Sequence, residues 1–165
     1  MAFDAYLKLK DVEGEATPEH HKGWIQLESF TWGARNTKSP GGGGMGAGKV
    51  EISDFNVTKQ TDKSSAMLFG NCCKGKHFDE AEMEICKAGG DEKKPLPYLK
   101  LKFTELFVTD IRWSGASNGS DTPMETVDFS FGSVKVVYTS QKPDGSADKQ
   151  FPAGWDLKKA QSIGA

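Results

Sequence analysis

The sequence predicts a mainly β fold: an antiparallel barrel or sandwich of two sheets, seven or eight strands in all, with one flanking helix. Three observations predict it. Apolar and polar residues alternate with period two through most segments. Gly, Pro, Asp and Ser gather between those segments as turns. One stretch alone, residues 62–74, changes to helical period. The 165 residues read as a single domain, 1–165, long enough to bury a core without disulfides or metal.

Each element has its own justification. Tyr6 to Lys10 alternates, with Leu7 and Leu9 against Tyr6, Lys8 and Lys10, and is a strand. Asp11 to Gly23 is a polar loop holding the adjacent pair His20 and His21. Trp24 to Arg35 is a strand, with Ile25, Leu27, Ser29 and Thr31 on one face and Gln26, Glu28, Phe30 and Trp32 on the other. If Phe30 and Trp32 take the core, Ile25 and Leu27 need another cover: the helix or a loop, or else a subunit contact or lined cavity. Asn36 to Gly48 is a glycine-rich loop. Lys49 to Gln60 is a strand whose inward set moves from Val50 and Ile52 to Phe55 and Val57, which requires a bulge or a change of partner near Asp54.

The helix spans 62–74. Asp62 is its expected N-cap and Gly75 its C′ residue. Ala66, Leu68, Phe69, Cys72 and Cys73 share one apolar stripe. Lys63, Ser64, Asn71 and Lys74 fall opposite, and Met67 lies amid that polar side. After it, Asp79 to Lys87 is a strand with Ala81, Met83 and Ile85 inward, and Ala88 to Lys94 is a turn. Leu96 to Trp113 is a long strand region led by Leu99, Leu101 and Phe103. Ser114 to Pro123 is a loop. Met124 to Ser140 carries Val127, Phe129 and Phe131, then Val134, Val136 and Tyr138, with Gly132 at the change of phase. Asp144-Gly145 marks a hairpin-like turn over Gln141 to Lys149. Gln150 to Lys158 is the last strand, with Phe151 and Trp155.

Composition narrows the function. A net charge of −2 lacks the basic excess of a nucleic-acid binder. No apolar run approaches the length of a membrane helix, so no membrane insertion is expected. Asp4 and the lack of an apolar run in the first ten residues give no expectation of a secretory leader. Cys72, Cys73 and Cys86 form no disulfide framework and point to a reducing cytoplasm; Cys72 and Cys73 read as small core residues.

Sites of chemistry fail on inspection. Gly41, Gly43 and Gly46 match G-x-G-x-x-G, and Gly43 to Lys49 matches G-x-x-x-x-G-K. Yet Val50 stands where a magnesium-binding hydroxyl belongs, and the loop opens a strand, so no helix N-terminus faces a phosphate. No histidine or cysteine spacing makes a metal site. Glu82 and Glu84 share a strand face that reads as solvated. The expectation is no enzyme, no cofactor and no metal.

Several stretches together resemble one family. They are Met1-Ala-Phe-Asp-Ala-Tyr-Leu-Lys-Leu9, Asp11-Val-Glu-Gly-Glu15, Phe30-Thr-Trp-Gly33, Gly42-Gly-Gly-Met-Gly-Ala-Gly-Lys-Val50, Thr58-Lys-Gln-Thr-Asp-Lys-Ser64, Gly75-Lys-His77, Lys87-Ala-Gly-Gly90 and Gly154-Trp155. In this order and over nearly the whole length they resemble the haemolysin-coregulated protein (Hcp) family, the tube protein of bacterial type VI secretion. The resemblance implies a homohexameric ring. Its rings stack into a hollow tube capped by a spike protein and propelled by a contractile sheath. Small secreted effector proteins travel in the lumen. It also implies a protein that is cytoplasmic before firing and then secreted without a signal peptide. No fused toxin domain is expected.

The family's lumen hydroxyl falls on Thr31, with Ser29 on the same face. The contact candidates between subunits or rings are Met67, the loop residues Gly42, Gly43, Gly44 and Met45, and the turn residues Gly89 and Gly90. Phe30 stands where the family pattern has Trp, so effector preference does not carry over. The alternative class is a solitary β-barrel module binding a carbohydrate-type ligand.

Overall fold

The structure, a computed structural model, describes residues 3–37, 48–87 and 95–164. The candidates Gly42, Gly43, Gly44, Met45, Gly89 and Gly90 lie outside the described residues. Among the described residues twelve strands and one α-helix follow in the order β1 (Phe3–Leu9), β2 (Ile25–Leu27), β3 (Ser29–Thr31), β4 (Ala34–Asn36), β5 (Val50–Ile52), β6 (Phe55–Gln60), α1 (Ser65–Lys74), β7 (His77–Lys87), β8 (Pro97–Ser114), β9 (Met124–Ser130), β10 (Ser133–Gln141), β11 (Ala147–Asp156) and β12 (Gln161–Ser162). All pairings are antiparallel. One layer runs β12-β11-β10-β8-β7-β1-β2, and a second runs β3-β6-β9-β8. The long strand β8 belongs to both.

Two phase changes make this possible. Glu105 takes a left-handed φ of 51°, so Leu101 and Phe103 face the core before it and Leu106 and Val108 after it. This bend was not foreseen. Opposite it, Gly132 separates β9 from β10, as the alternation predicts. A Cβ at Gly132 would come within 2.7 Å of Glu105 Oε2, so the bend in one strand is matched by a residue without a side chain in the next. Between the layers lie Phe55, Phe103, Phe129 and Phe131, with ring centroids of Phe55 and Phe103 4.8 Å apart.

The break near Asp54 is observed: β5 ends at Ile52, and Phe55 and Val57 are buried in β6. The segment Trp24 to Arg35, predicted as one strand, is three. Its bend at Glu28, whose N–H donates to Thr58 O at 2.8 Å, passes the chain from β1 to β6. Phase shifts there. Ile25 and Leu27 pair beside Leu7 and Ala5 and are buried; Phe30 and Trp32 pack on that same core. Ile25 and Leu27 therefore need no cover from a subunit or cavity, and they do not share a face with Ser29 and Thr31.

Helix α1 begins at Ser65, later than predicted. Its N-cap is Ser64, and Asp62 instead accepts from the Ser64 N–H at 2.9 Å. At the other end Gly75 (φ 63°) donates to Cys72 O and Lys76 to Asn71 O, the left-handed stop that glycine makes cheap. The buried face is narrower than predicted. Ser65 and Leu68 are buried and Cys72 half-buried, while Ala66, Phe69 and Cys73 are exposed. Adjacent Cys72 and Cys73 stand about 100° apart, so only one can turn inward. Two further expectations are overturned. Tyr138 is exposed because the core beneath β10 reaches only as far as Val134 and Val136. Glu84 is buried, not solvated, because the loop 11–24 folds over its strand.

Candidate functional site

The outer face of the β3-β6-β9-β8 layer is built by register. Ser29 stands opposite Thr58, Thr58 opposite Thr126, and Thr126 opposite Arg112. The next row is Thr31, Asn56, Asp128 and Asp110. Residues between them, Phe30, Val57, Val127 and Ile111, point inward. The period of two thus gives one apolar and one hydroxyl- and amide-bearing face.

Polar side chains on this face hold one another. Asn56 Nδ2 donates to Asp128 Oδ1 at 2.5 Å, and Arg112 lies 3.4 Å from Asp110 and 3.7 Å from Asp128. Thr109 Oγ1 donates to the Asp128 carbonyl at 3.1 Å. Ser29 and Thr31 are exposed. Thr31 borders a cavity of about 560 Å³ shared with Trp32, Ala34, Arg35, Ser53 and Asp54. The aliphatic partners expected beside these hydroxyls are absent, because Ile25 and Leu27 are in the core.

This layer also has an open edge at each side. Among the described residues β3 pairs only with β6, and the stretch of β8 beyond Phe107 pairs only with β9. An open edge offers a row of unpaired backbone donors and acceptors to another strand. Beside the β8 edge lies α1, whose Phe69 meets Trp113 edge-on with ring centroids 5.9 Å apart. Met67, Phe69 and Trp113 are 45%, 51% and 43% exposed; residues two apart on a helix point about 160° away from each other, so Phe69 and Trp113 form one apolar pair while Met67 stands on another side of α1, among Lys63, Ala66, Asn71 and Lys74. Met67 is thus exposed on the polar side of the helix, as its place in the sequence predicts.

Two buried ionic groups escaped the sequence reading. Lys59 and Glu125 pair in register and are buried together, with Lys59 Nζ 3.2 Å from Glu125 and 2.8 Å from Asp62. A signal existed: the alternation Phe55, Val57, Lys59 and that of Val127 with Glu125 both place a charge inward, of opposite sign. His21 is the second. It stacks on Tyr6 at 4.2 Å, meets Trp24 edge-on, and its Nε2 lies 2.7 Å from Glu84 Oε2. Burial pushes the Glu84 carboxyl up, but its bonds to Lys100 and His21 outweigh this and hold it below the ordinary value. Lys100 is correspondingly raised, since Glu84 outweighs its own desolvation. Burial lifts the Cys86 thiol to about 11, which leaves it protonated and inert. Among the described residues no His, Cys, Asp and Glu cluster has the form of a metal site, and no helix is long and apolar enough to cross a membrane.

A barrel with one hydroxylated face and two edges that pair with no further strand among the described residues has the form of a β subunit able to join others edge to edge,. Comparison with known proteins makes this specific. The family described as "Type VI secretion system effector, Hcp" matches residues 6–138. Protein hcp1 of Pseudomonas aeruginosa is 37% identical over 161 residues, spanning 96% of this chain and 98% of that protein. A solved type six secretion system protein superposes with TM-score 0.91 at 38% identity, covering 98% of this chain and all of the other. Hcp1 of Salmonella typhimurium superposes with TM-score 0.80 at 32% identity, covering 99% of this chain and all of the other. The chain belongs to the Hcp family. It is a structural subunit of the type VI secretion tube, an oligomerising secreted protein rather than an enzyme.

Proposed function

We propose that this chain closes into six-membered rings whose stack forms the hollow inner tube, and that the outer face of the β3-β6-β9-β8 layer lines the lumen. The observation that carries this is the pairing of a polar face with an open edge at each side. Six copies joined edge to edge, β3 of one beside the last residues of β8 of the next, make a closed wall with no free edge. In that wall Ser29 and Thr31 face the lumen as hydroxyl-bearing positions repeated around the ring. Such groups donate and accept, and are small enough to leave the pore open to a small effector protein. Met67 lies at the subunit contact. The loop containing Gly42, Gly43, Gly44 and Met45 and the turn containing Gly89 and Gly90 reach a neighbouring subunit or the next ring. The spike protein meets the end of the stack, the contractile sheath its exterior, and the protein waits in the cytoplasm until fired.

Size exclusion with light scattering tests the assembly. The expected mass is about six times that of the 18.0 kDa subunit,; a single-subunit mass at all concentrations would instead favour the solitary binding module. Deleting Gly41 to Gly44 should leave thermal unfolding nearly unchanged and impair tube formation seen by electron microscopy.

A further inference from the structure

We propose that the buried network around Lys59 is a positioning device: it fixes the roll of α1 about its axis and so aims Met67 at the neighbouring subunit. This inference rests on the reading of α1 as part of the ring contact.

The helix is thinly anchored. Of its ten residues only Leu68 is a fully buried apolar side chain, with Cys72 half-buried on the core and Phe69 against Trp113, and so few apolar contacts define its roll only loosely. The polar network removes that freedom. Lys59 Nζ, 1% exposed, donates to Gln60 O at 2.8 Å and to Ser65 Oγ at 3.3 Å, and lies beside Glu125 and Asp62. Glu125, fully buried, uses its second oxygen to accept from the Ser65 hydroxyl. Ser65 Oγ in turn accepts from the Asp62 N–H at 2.9 Å. Strands β6 and β9 are thereby bonded to the first helical residue from one side, and the chain entering the helix from another. Hydrogen-bond directions are fixed in a way that apolar contact is not. Burying an ionic cluster of this kind contributes little net stability compared with apolar groups of similar volume. Geometry is what it supplies. The motif Thr58-Lys-Gln-Thr-Asp-Lys-Ser64 holds Lys59 and Asp62 and runs up to Ser65, yet none of these three side chains belongs to the proposed lumen face or to the exposed side of α1 that carries Met67.

The test replaces the network with apolar groups. Lys59→Met combined with Glu125→Leu should keep the melting temperature near or above that of the wild type. The protomer concentration at half-assembly, read by sedimentation velocity, should rise at least about tenfold, with faster amide exchange across residues 65–74. Ser65→Ala, which keeps the charges and favours helix, covers the case in which the double variant does not fold. It should remain folded and shift assembly in the same direction. Unchanged assembly in a folded variant overturns the proposal, as does weakened assembly with unchanged exchange in α1. Met67→Glu is the reference. If it disrupts rings while the network variants do not, the positioning inference alone fails. If Met67→Glu leaves rings intact, the reading of α1 as a contact fails, and this inference with it.

Discussion

The outer face of the β3-β6-β9-β8 layer and the exposed flank of α1 lie on opposite sides of one layer, and their chemistry is opposite too. The first bears Ser29, Thr31, Asn56, Thr58, Thr126 and Asp128, which satisfy one another or water. On the second, Met67 stands on one side of the helix and Phe69 with Trp113 on another, all exposed. Arg112 and Trp113 are neighbours in sequence and divide between the two. A polar face is stable in water as it stands, whereas an aromatic patch gains by being covered. The difference teaches which surface suits a wet lumen and which suits a permanent contact.

Met67→Glu has the largest expected effect, because it puts a charge into the subunit contact proposed for α1. A charge sealed without a partner costs about 3 kcal/mol at each contact, so association should weaken about a hundredfold or more. The monomer should stay within about 0.5 kcal/mol of wild-type stability. Concentration-dependent light scattering with thermal unfolding checks both; an oligomer as tight as wild type would remove Met67 from the interface.

Lys59→Met alone is next. It leaves Glu125 charged, buried and without its cation, at a cost of about 3–5 kcal/mol. The melting temperature should fall by about 10 °C, unlike that of the double variant with Glu125→Leu. Near-equal melting of the single and double variants would show that the two charges are not coupled.

Glu84 separates stability from assembly, since it lies beneath the loop 11–24 and on neither surface. Its depressed carboxyl stabilises the fold above its ordinary value of 4.5, and this is lost as pH falls through the depressed folded value. Glu84→Gln should therefore be less stable than wild type at neutral pH, with the gap closing below pH 4.5, while ring mass at neutral pH is unchanged. A gap independent of pH would place the effect in packing and not in the carboxylate.

The smallest effect on stability belongs to Thr31→Gln, which lengthens an exposed polar side chain and should change stability by no more than about 0.5 kcal/mol. Rings should form as before, with reduced co-purification of a lumen-dependent effector. Unfolding would mean that Thr31 faces the core and Phe30 does not.

The fold class, the helix with its stop at Gly75, the breaks near Asp54 and at Gly132, and the polar character of Ser29 and Thr31 are all legible along the chain. These depend on local backbone preference and on a period of two, which a single segment carries. The rest depends on contacts between segments far apart in the chain. Trp24 to Arg35 reads as one strand because alternation is blind to a change of partner; the handover from β1 to β6 at Glu28 then turns Ile25 and Leu27 inward. Glu105 adopts its left-handed turn because Gly132 on the neighbouring strand leaves room. The helical stripe looked wide because hydrophobicity marks what can be buried. What is buried depends on how much core lies beneath the helix, and there is room for Leu68 but not for Phe69. The ionic pairs Lys59–Glu125 and His21–Glu84 join residues more than sixty positions apart. A charged side chain is buried only where its partner arrives, and the partner's arrival is a property of the folded chain.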